Sequence, residues 1–248
     1  MTEPKVGLTL PSFVDDPAIP IRVARAAEDA GLDAVFVFDH LWRGDPPSRR
    51  PALECFTLLG AIAAETSRIG VGTLVARATL RPAATLANAL STAQKVSGGR
   101  LLAAIGSGDS QSRAENEAFG LDFGTMAQRV AALHDAVRAS SGHGYPVWVG
   151  GHAKQVREVV AVADGWNAWG GEPDEFAADA VLVREVAPNA TLTWGGLARP
   201  QEEGVDGLAT RLAPYVEHGA EWLIIGPIDS SNPDNAGVLG ELRARLRQ

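Results

Sequence analysis

Eight short apolar runs, rich in β-branched and aromatic residues, recur along this chain with starts roughly 20 to 45 residues apart, about one strand–helix–strand repeat. They cover 6–10, 34–38, 69–75, 101–105, 147–149, 166–169, 190–194 and 222–225. The segments between them carry helical periodicity. Met126, Val130, Leu133 and Val137 fall on one helical face, as do Leu86, Leu90, Ala93 and Val96, and Leu239, Leu242 and Leu246 near the end. Gly31, Gly99, Gly165 and Gly219 stand just ahead of apolar runs and read as helix C-caps. Pro20, Pro82 and Pro173 stand at or near helix starts. The runs 34–38 and 101–105 are continuously apolar rather than alternating, the pattern of strands buried on both faces in a parallel sheet.

Eight such units in 248 residues predict an α/β chain folded as a (β/α)8 TIM barrel, one domain spanning 1–248. The competing open, doubly wound sheet often carries a Gly-rich turn after its first strand. Here that strand ends Leu10-Pro11-Ser12-Phe13.

The formal net charge of -8 disfavours nucleic acid as a partner. The single cysteine, Cys55, excludes an intrachain disulfide and a Cys-rich metal site, and no clustered histidine set suggests a metal. The N-terminus does not read as a secretory signal, and no run approaches the ~18 apolar residues of a membrane span. A cytoplasmic protein acting on a small molecule is the expectation.

The loops 43–51, 109–116 and 229–235 follow strands and so lie on the face where barrel enzymes do chemistry, whereas 140–145 lies on the opposite face. Asp39-His40 ends the second strand; a histidine there points into the mouth, or else is a hydrogen-bonded structural residue. Gly106-Ser107-Gly108-Asp109 ends the fourth. Its glycines permit close approach of a ligand, and Asp109 reads equally as an acid beside that ligand or as a helix cap. Gly150-Gly151-His152 opens a helix after the fifth strand, where free N–H groups favour an anion, with His152 and Lys154 nearby. Arg77, Arg81 and Arg113 read as anion ligands or as partners of acidic neighbours. Trp42 and Trp194 lie beyond strand ends and could stack on a planar ligand.

Taken together, the stretches 26–40 (ending Val-Phe-Val-Phe-Asp-His), 64–82 (ending Gly-Thr-Leu-Val-Ala-Arg-Ala-Thr-Leu-Arg-Pro), 97–108 (Ser-Gly-Gly-Arg-Leu-Leu-Ala-Ala-Ile-Gly-Ser-Gly) and 145–167 (Pro-Val-Trp-Val-Gly-Gly through Ala-Asp-Gly-Trp-Asn) resemble, in order, the luciferase-like family of flavin- and deazaflavin-dependent oxidoreductases. The resemblance covers about the first two-thirds of the chain. It implies a redox cofactor lying across the barrel mouth, coenzyme F420 or alternatively FMN. A bulge with a non-prolyl cis peptide would back the ring at Leu74-Val75. Asp39 and His40 would lie near the ring, with Gly106, Ser107 and Gly108 beside it and the tail phosphate near Gly150 and Gly151. Asp109 stands where F420-using members carry an acidic proton donor and many flavin-using relatives carry tryptophan.

The implied activity is hydride transfer between F420 and a small organic substrate, with His40 and Asp109 as the catalytic pair. An FMN-dependent monooxygenase and a family member that binds cofactor without turnover are the alternatives. The chain departs from the family in a shortened segment before the fifth strand, where Ser140-Ser141-Gly142-His143-Gly144 joins helix to strand directly, and in Ala76-Arg77-Ala78. The mouth would then be more open, or covered by a second subunit. Small-residue helices such as 61–64 and 83–93 permit the close packing of a homodimer.

Overall fold

The computed structural model describes residues 3–43, 50–109 and 112–247. Eight parallel strands close into a barrel: β1 (Lys5–Thr9), β2 (Ala34–Val37), β5 (Gly70–Arg77), β6 (Leu101–Gly106), β7 (Val147–Gly150), β8 (Gly165–Trp169), β9 (Thr191–Ala198) and β10 (Trp222–Pro227). Strands β3 (Trp42–Arg43) and β4 (Arg50–Pro51) form a separate antiparallel ribbon at the mouth. The barrel closes by pairing β1 with both β2 and β10. All eight apolar runs lie on barrel strands or overlap them, as the (β/α)8 reading requires.

The helices are α1 (Ala18–Asp29), α2 (Cys55–Glu65), α3 (Ala83–Val96), α4 (Ser112–Ala118), α5 (Met126–Ser140), α6 (Ala153–Val160), α7 (Pro173–Val186), α8 (Pro200–Glu217) and α9 (Asn235–Arg245). Among the described residues, no helix is long and apolar enough to cross a membrane.

Two cores explain why the strands are apolar without alternation. On β2, Val35 and Val37 join the outer core between barrel and helices, while Ala34 and Phe36 belong to the cluster filling the barrel. Three aromatic rings occupy that interior: Phe36 lies 6.1 Å from Trp148 and 6.2 Å from Trp222, and the two tryptophans are 5.4 Å apart. Such rings fit because facing positions have no side chain. A Cβ at Gly72 would stand 2.8 Å from Phe36, and one at Gly165 would stand 2.7 Å from Trp148.

Several local expectations change. Gly31, Gly99 and Gly219 have φ of 76°, 93° and 95°, the left-handed geometry of a helix end. Gly165 instead is the first residue of β8, and close packing rather than capping explains it. Pro82 and Pro173 stand at the starts of α3 and α7, and Pro20 lies in the first turn of α1, behind Pro17 at the cap, so all three are at or near helix starts as expected. Val96 is exposed while Leu86, Leu90 and Ala93 are buried, so the apolar face of α3 stops one turn early. The segment read as a loop over 109–116 becomes α4 from Ser112 onward. Most of the 43–51 loop lies outside the described residues.

Candidate active site

The mouth is formed by the C-terminal ends of the strands. On one side β5 breaks register with β6 between Thr73 and Ala76, and the Leu74–Val75 peptide bond is cis. The bulge therefore falls on the residues to which the resemblance assigned it. Val75 projects between two neighbouring strands. A Cβ at Gly106 would lie 2.5 Å from Val75 Cγ2, and one at Gly150 would lie 2.6 Å from Val75 Cγ1. These two glycines thus make room for Val75, a reason for them that holds with or without a ligand. Ser107 is partly exposed, and Gly108 has φ of 75°, which only glycine adopts readily in this turn. Gly151 is exposed; its carbonyl accepts from Trp166 Nε1 at 2.7 Å, anchoring the turn into α6.

His40 lies beyond β2 with its side chain 30% exposed, flanked by the rings of Phe13 and Phe38 at 5.7 and 6.5 Å. Its Nδ1 is 2.7 Å from Glu115 Oε1. Glu115, on α4, is 5% exposed and also accepts from Leu41 N–H at 2.9 Å and from Arg77 Nη2 at 3.0 Å. Burial pushes the Glu115 carboxyl up. The hydrogen bonds from His40 and Leu41 and the charges of His40 and Arg77 outweigh it, so the group lies below its ordinary value and is ionised at neutral pH. An ionised carboxylate only accepts, so Nδ1 donates and Nε2 is left as the ring's available nitrogen.

Asp39 has a different place from the one expected. It is 2% exposed, and both its oxygens are occupied. Oδ2 accepts from Arg77 N–H at 2.9 Å and Arg81 Nη1 at 2.6 Å, and Oδ1 accepts from Arg81 Nη2 at 3.1 Å. Its carboxylate holds arginines rather than facing the mouth. Arg77 donates Nε to the Asp39 carbonyl at 2.8 Å, which ties the β2 end to β5. Burial pulls the Arg77 guanidinium down against the pull of Glu115 and Asp39. Arg81 also reaches Glu54 at 2.8 Å, so both arginines resolve as partners of acids. Arg113 pairs weakly with Glu117 on the surface.

Asp109 is exposed, and its Oδ1 accepts from the N–H and hydroxyl of Ser112, each at 3.0 Å, at the start of α4. The capping alternative therefore holds for one oxygen.

The opposite side of the mouth is apolar. Trp169 ends β8 with 45% exposure, set edge-on against Phe38 at 5.9 Å. Its ring lies over two glycines: a Cβ at Gly195 would be 2.7 Å from it and one at Gly226 3.1 Å. Leu197 on β9 and Ile228 just past β10 are also exposed. Trp194 is not part of this shelf. It is buried 4.2 Å from Tyr215, with its Nε1 donating to the Gly170 carbonyl. Trp42 lies against Phe119 at 5.6 Å.

Nothing in the sequence pattern marks Glu115 or Trp169. Glu115 sits in a polar stretch with no periodicity to mark a helix. Trp169 closes an apolar run in which Trp166 is core, and only strand parity separates the two.

The sequence pattern of the family described as luciferase-like monooxygenase matches residues 2–142. The chain belongs to the luciferase-like family. An uncharacterized protein of Mycobacterium tuberculosis is 27% identical over 202 residues, which is 66% of this chain and 69% of that one. The F420-dependent glucose-6-phosphate dehydrogenase of Beutenbergia cavernae is 38% identical over 117 residues, 45% of this chain. The chain spans only 32% of that relative's length. Among solved structures, an F420-dependent secondary alcohol dehydrogenase in complex with an F420-acetone adduct superposes with a TM-score of 0.83, 14% identity and complete coverage of both chains. At that identity the likeness speaks for the barrel fold. The matched residues contain the cis peptide, His40, Arg77 and Glu115, whereas Trp169, Leu197 and Ile228 lie outside them.

Proposed function

We propose that this luciferase-like protein is an F420-dependent oxidoreductase that interconverts a hydroxyl and a carbonyl on a small, largely apolar molecule. The observation that carries the reading is His40, held at the mouth through Nδ1 by an ionised Glu115. The exposed residues at the mouth suit a flat ring with one polar edge: Trp169, Leu197 and Ile228 offer apolar surface, and Ser107, Asp109 and His40 offer polar groups. Similarity to F420-dependent proteins and the acid at position 109 favour F420 over FMN.

Leu74 and Val75 would back the ring, Gly106, Ser107 and Gly108 would line its edge, and Gly150 and Gly151 would lie by the tail phosphate. When bound, the deazaflavin supplies a two-electron carrier that takes or gives hydride. The chain does the rest. His40 Nε2 accepts the hydroxyl proton as the substrate carbon loses its hydrogen with the electron pair, leaving a carbonyl; the reverse direction returns the proton. Glu115 stabilises the imidazolium that forms, and the hydrogen bonds from His40 and Leu41, with the charges of His40 and Arg77, keep Glu115 ionised. The second oxygen of Asp109 would exchange with the bound ring the proton that accompanies its reduction or oxidation. Trp169, Leu197 and Ile228 keep water from the reacting atoms. A homodimer in the cytoplasm belongs to the same reading.

Titrating the protein with F420 and with FMN tests it, followed by turnover on a secondary alcohol and on glucose 6-phosphate. F420 is expected to bind tighter, and the alcohol to be the better substrate. His40→Ala is expected to lower turnover about 10²–10⁴-fold while F420 still binds. Tighter binding of FMN, or wild-type turnover by His40→Ala, would overturn the reading.

A further inference from the structure

Outside the mouth, a cavity of about 330 Å³ opens between the β5–α3 connection and the start of α5. One of its walls is Arg129, only 6% exposed. Two arginines are fully buried among the described residues, and they differ sharply. Arg77 has Glu115, whereas no carboxylate among the described residues lies within ion-pairing distance of Arg129. The Arg129 guanidinium stacks 4.1 Å from the Phe123 ring centre, and its Nη1 donates to the Gly124 carbonyl at 3.3 Å. Nη2 reaches only the Met126 sulfur at 3.5 Å, and the buried Nε has no partner. A buried cation met only by a ring, a carbonyl and a thioether is undercompensated, because charges leave water at low cost only when paired.

Two further features of the same cavity favour a negative ligand. The Thr79 hydroxyl is buried there without a partner. Arg81 also lines the wall, but its guanidinium is held by Asp39 and Glu54. Helix α3 begins at this point with Pro82 as its cap, no side-chain cap bond and no acid in its first turn, so its leading N–H groups are open to an anion. Asp122, the acid on the wall, is turned into its own loop, where Oδ1 accepts from Gly124 N–H at 3.0 Å. Leu80 and Leu121 complete an apolar side too large for a bare ion.

We propose that this cavity binds a small organic acid, its carboxylate on Arg129 and its apolar body against Leu80 and Leu121. The site is separate from the mouth: none of His40, Glu115, Asp109 or Trp169 lines it. It meets the active-site network through Arg81, which holds Asp39.

Benzoate is the probe, with inorganic phosphate as the comparison, in calorimetric titrations of the whole protein without cofactor. Benzoate is expected to bind saturably and more tightly than phosphate. Arg129→Met, which removes the charge but keeps the stem, is expected to weaken benzoate at least about tenfold. Ala132→Phe, which fills the cavity while leaving Arg129 in place, should abolish binding even if Arg129→Met folds poorly. F420 titrations of the same variants should match the wild type, which separates this site from the mouth. Absence of saturable benzoate binding, equal binding by Ala132→Phe, or phosphate binding as tightly as benzoate would overturn the proposal.

Discussion

An imidazole with one nitrogen committed to a carboxylate has one nitrogen left for chemistry, and at His40 the commitment is to Glu115 at 2.7 Å. Glu115 also neutralises the buried Arg77, so it serves the site and the fold together. Glu115→Gln should therefore have two effects. Turnover should fall about 10- to 100-fold, since an amide stabilises the imidazolium less well. Stability in denaturant should fall by roughly 1–3 kcal/mol as Arg77 loses its counter-charge. The pH dependence has a definite sign. The folded pKa of Glu115 lies below its ordinary 4.5, so its contribution is complete above that value and drains away as pH falls through the folded pKa. Acid unfolding curves of wild type and Glu115→Gln should draw together as pH falls from 4.5 through the folded pKa of Glu115. At this scale His40 was legible in the sequence because it ends a strand. Glu115 was not, because what makes it functional is a contact across 75 positions.

At the scale of elements, the bulge on β5 and the glycines on β6 and β7 form one packing unit. Gly106→Ala or Gly150→Ala would drive a methyl to about 2.5 Å from a Val75 methyl, measured by the 2.5 and 2.6 Å approaches. Each should cost about 1–3 kcal/mol. Pairing Gly106→Ala with Val75→Ala should recover much of that loss, and a double-mutant cycle by chemical denaturation measures the coupling. The sequence marked these glycines as ligand-facing; their packing reason depends on strands brought side by side. Helix α4 teaches a related lesson. Its seven residues have no apolar stripe, so periodicity was silent, and anchoring by Asp109, Ser112 and Glu115 holds it at the mouth. Glu28 shows local wiring of the same kind: it accepts from the N–H groups of Ser67, Arg68 and Ile69, clamping the turn into β5.

Across the whole molecule, a closed barrel must join its last unit to its first. Helix α9 does so by burying Leu239 and Leu242 and by placing Gly240 against the end of α1, where a Cβ would stand 2.5 Å from the Ala30 carbonyl oxygen. Arg243 then forks onto Asp33, with both contacts at 2.7 Å, while the same carboxylate accepts from Val6 N–H at 2.9 Å on β1. Arg243→Ala should destabilise the protein by about 1–2 kcal/mol, less in high salt because the pair is partly exposed. Gly240→Leu should be far more damaging, since it wedges the closing helix away from α1; thermal unfolding distinguishes the two. On the same scale, the mouth divides between the family-matched part, which supplies His40, Arg77 and Glu115, and the later part, which supplies Trp169, Leu197 and Ile228.

Strand number and parallel order were determined by the sequence alone, because burial on two faces leaves unbroken apolar runs and the repeat length admits a helix between each pair; the count of eight favoured closure over an open sheet, and the pairing of β1 with β10 completes it. Position at strand ends likewise marked His40 and the Gly106 and Gly150 turns. Tertiary structure alone decided what those residues touch. It turned Asp39 inward onto two arginines, gave His40 a carboxylate, laid Trp169 over two glycines and left Arg129 buried without a counter-charge. Periodicity is a property of neighbours along the chain. A charge pair, or a side chain seated over a missing one, belongs to neighbours in space, and the distance between such neighbours is set only when the barrel closes.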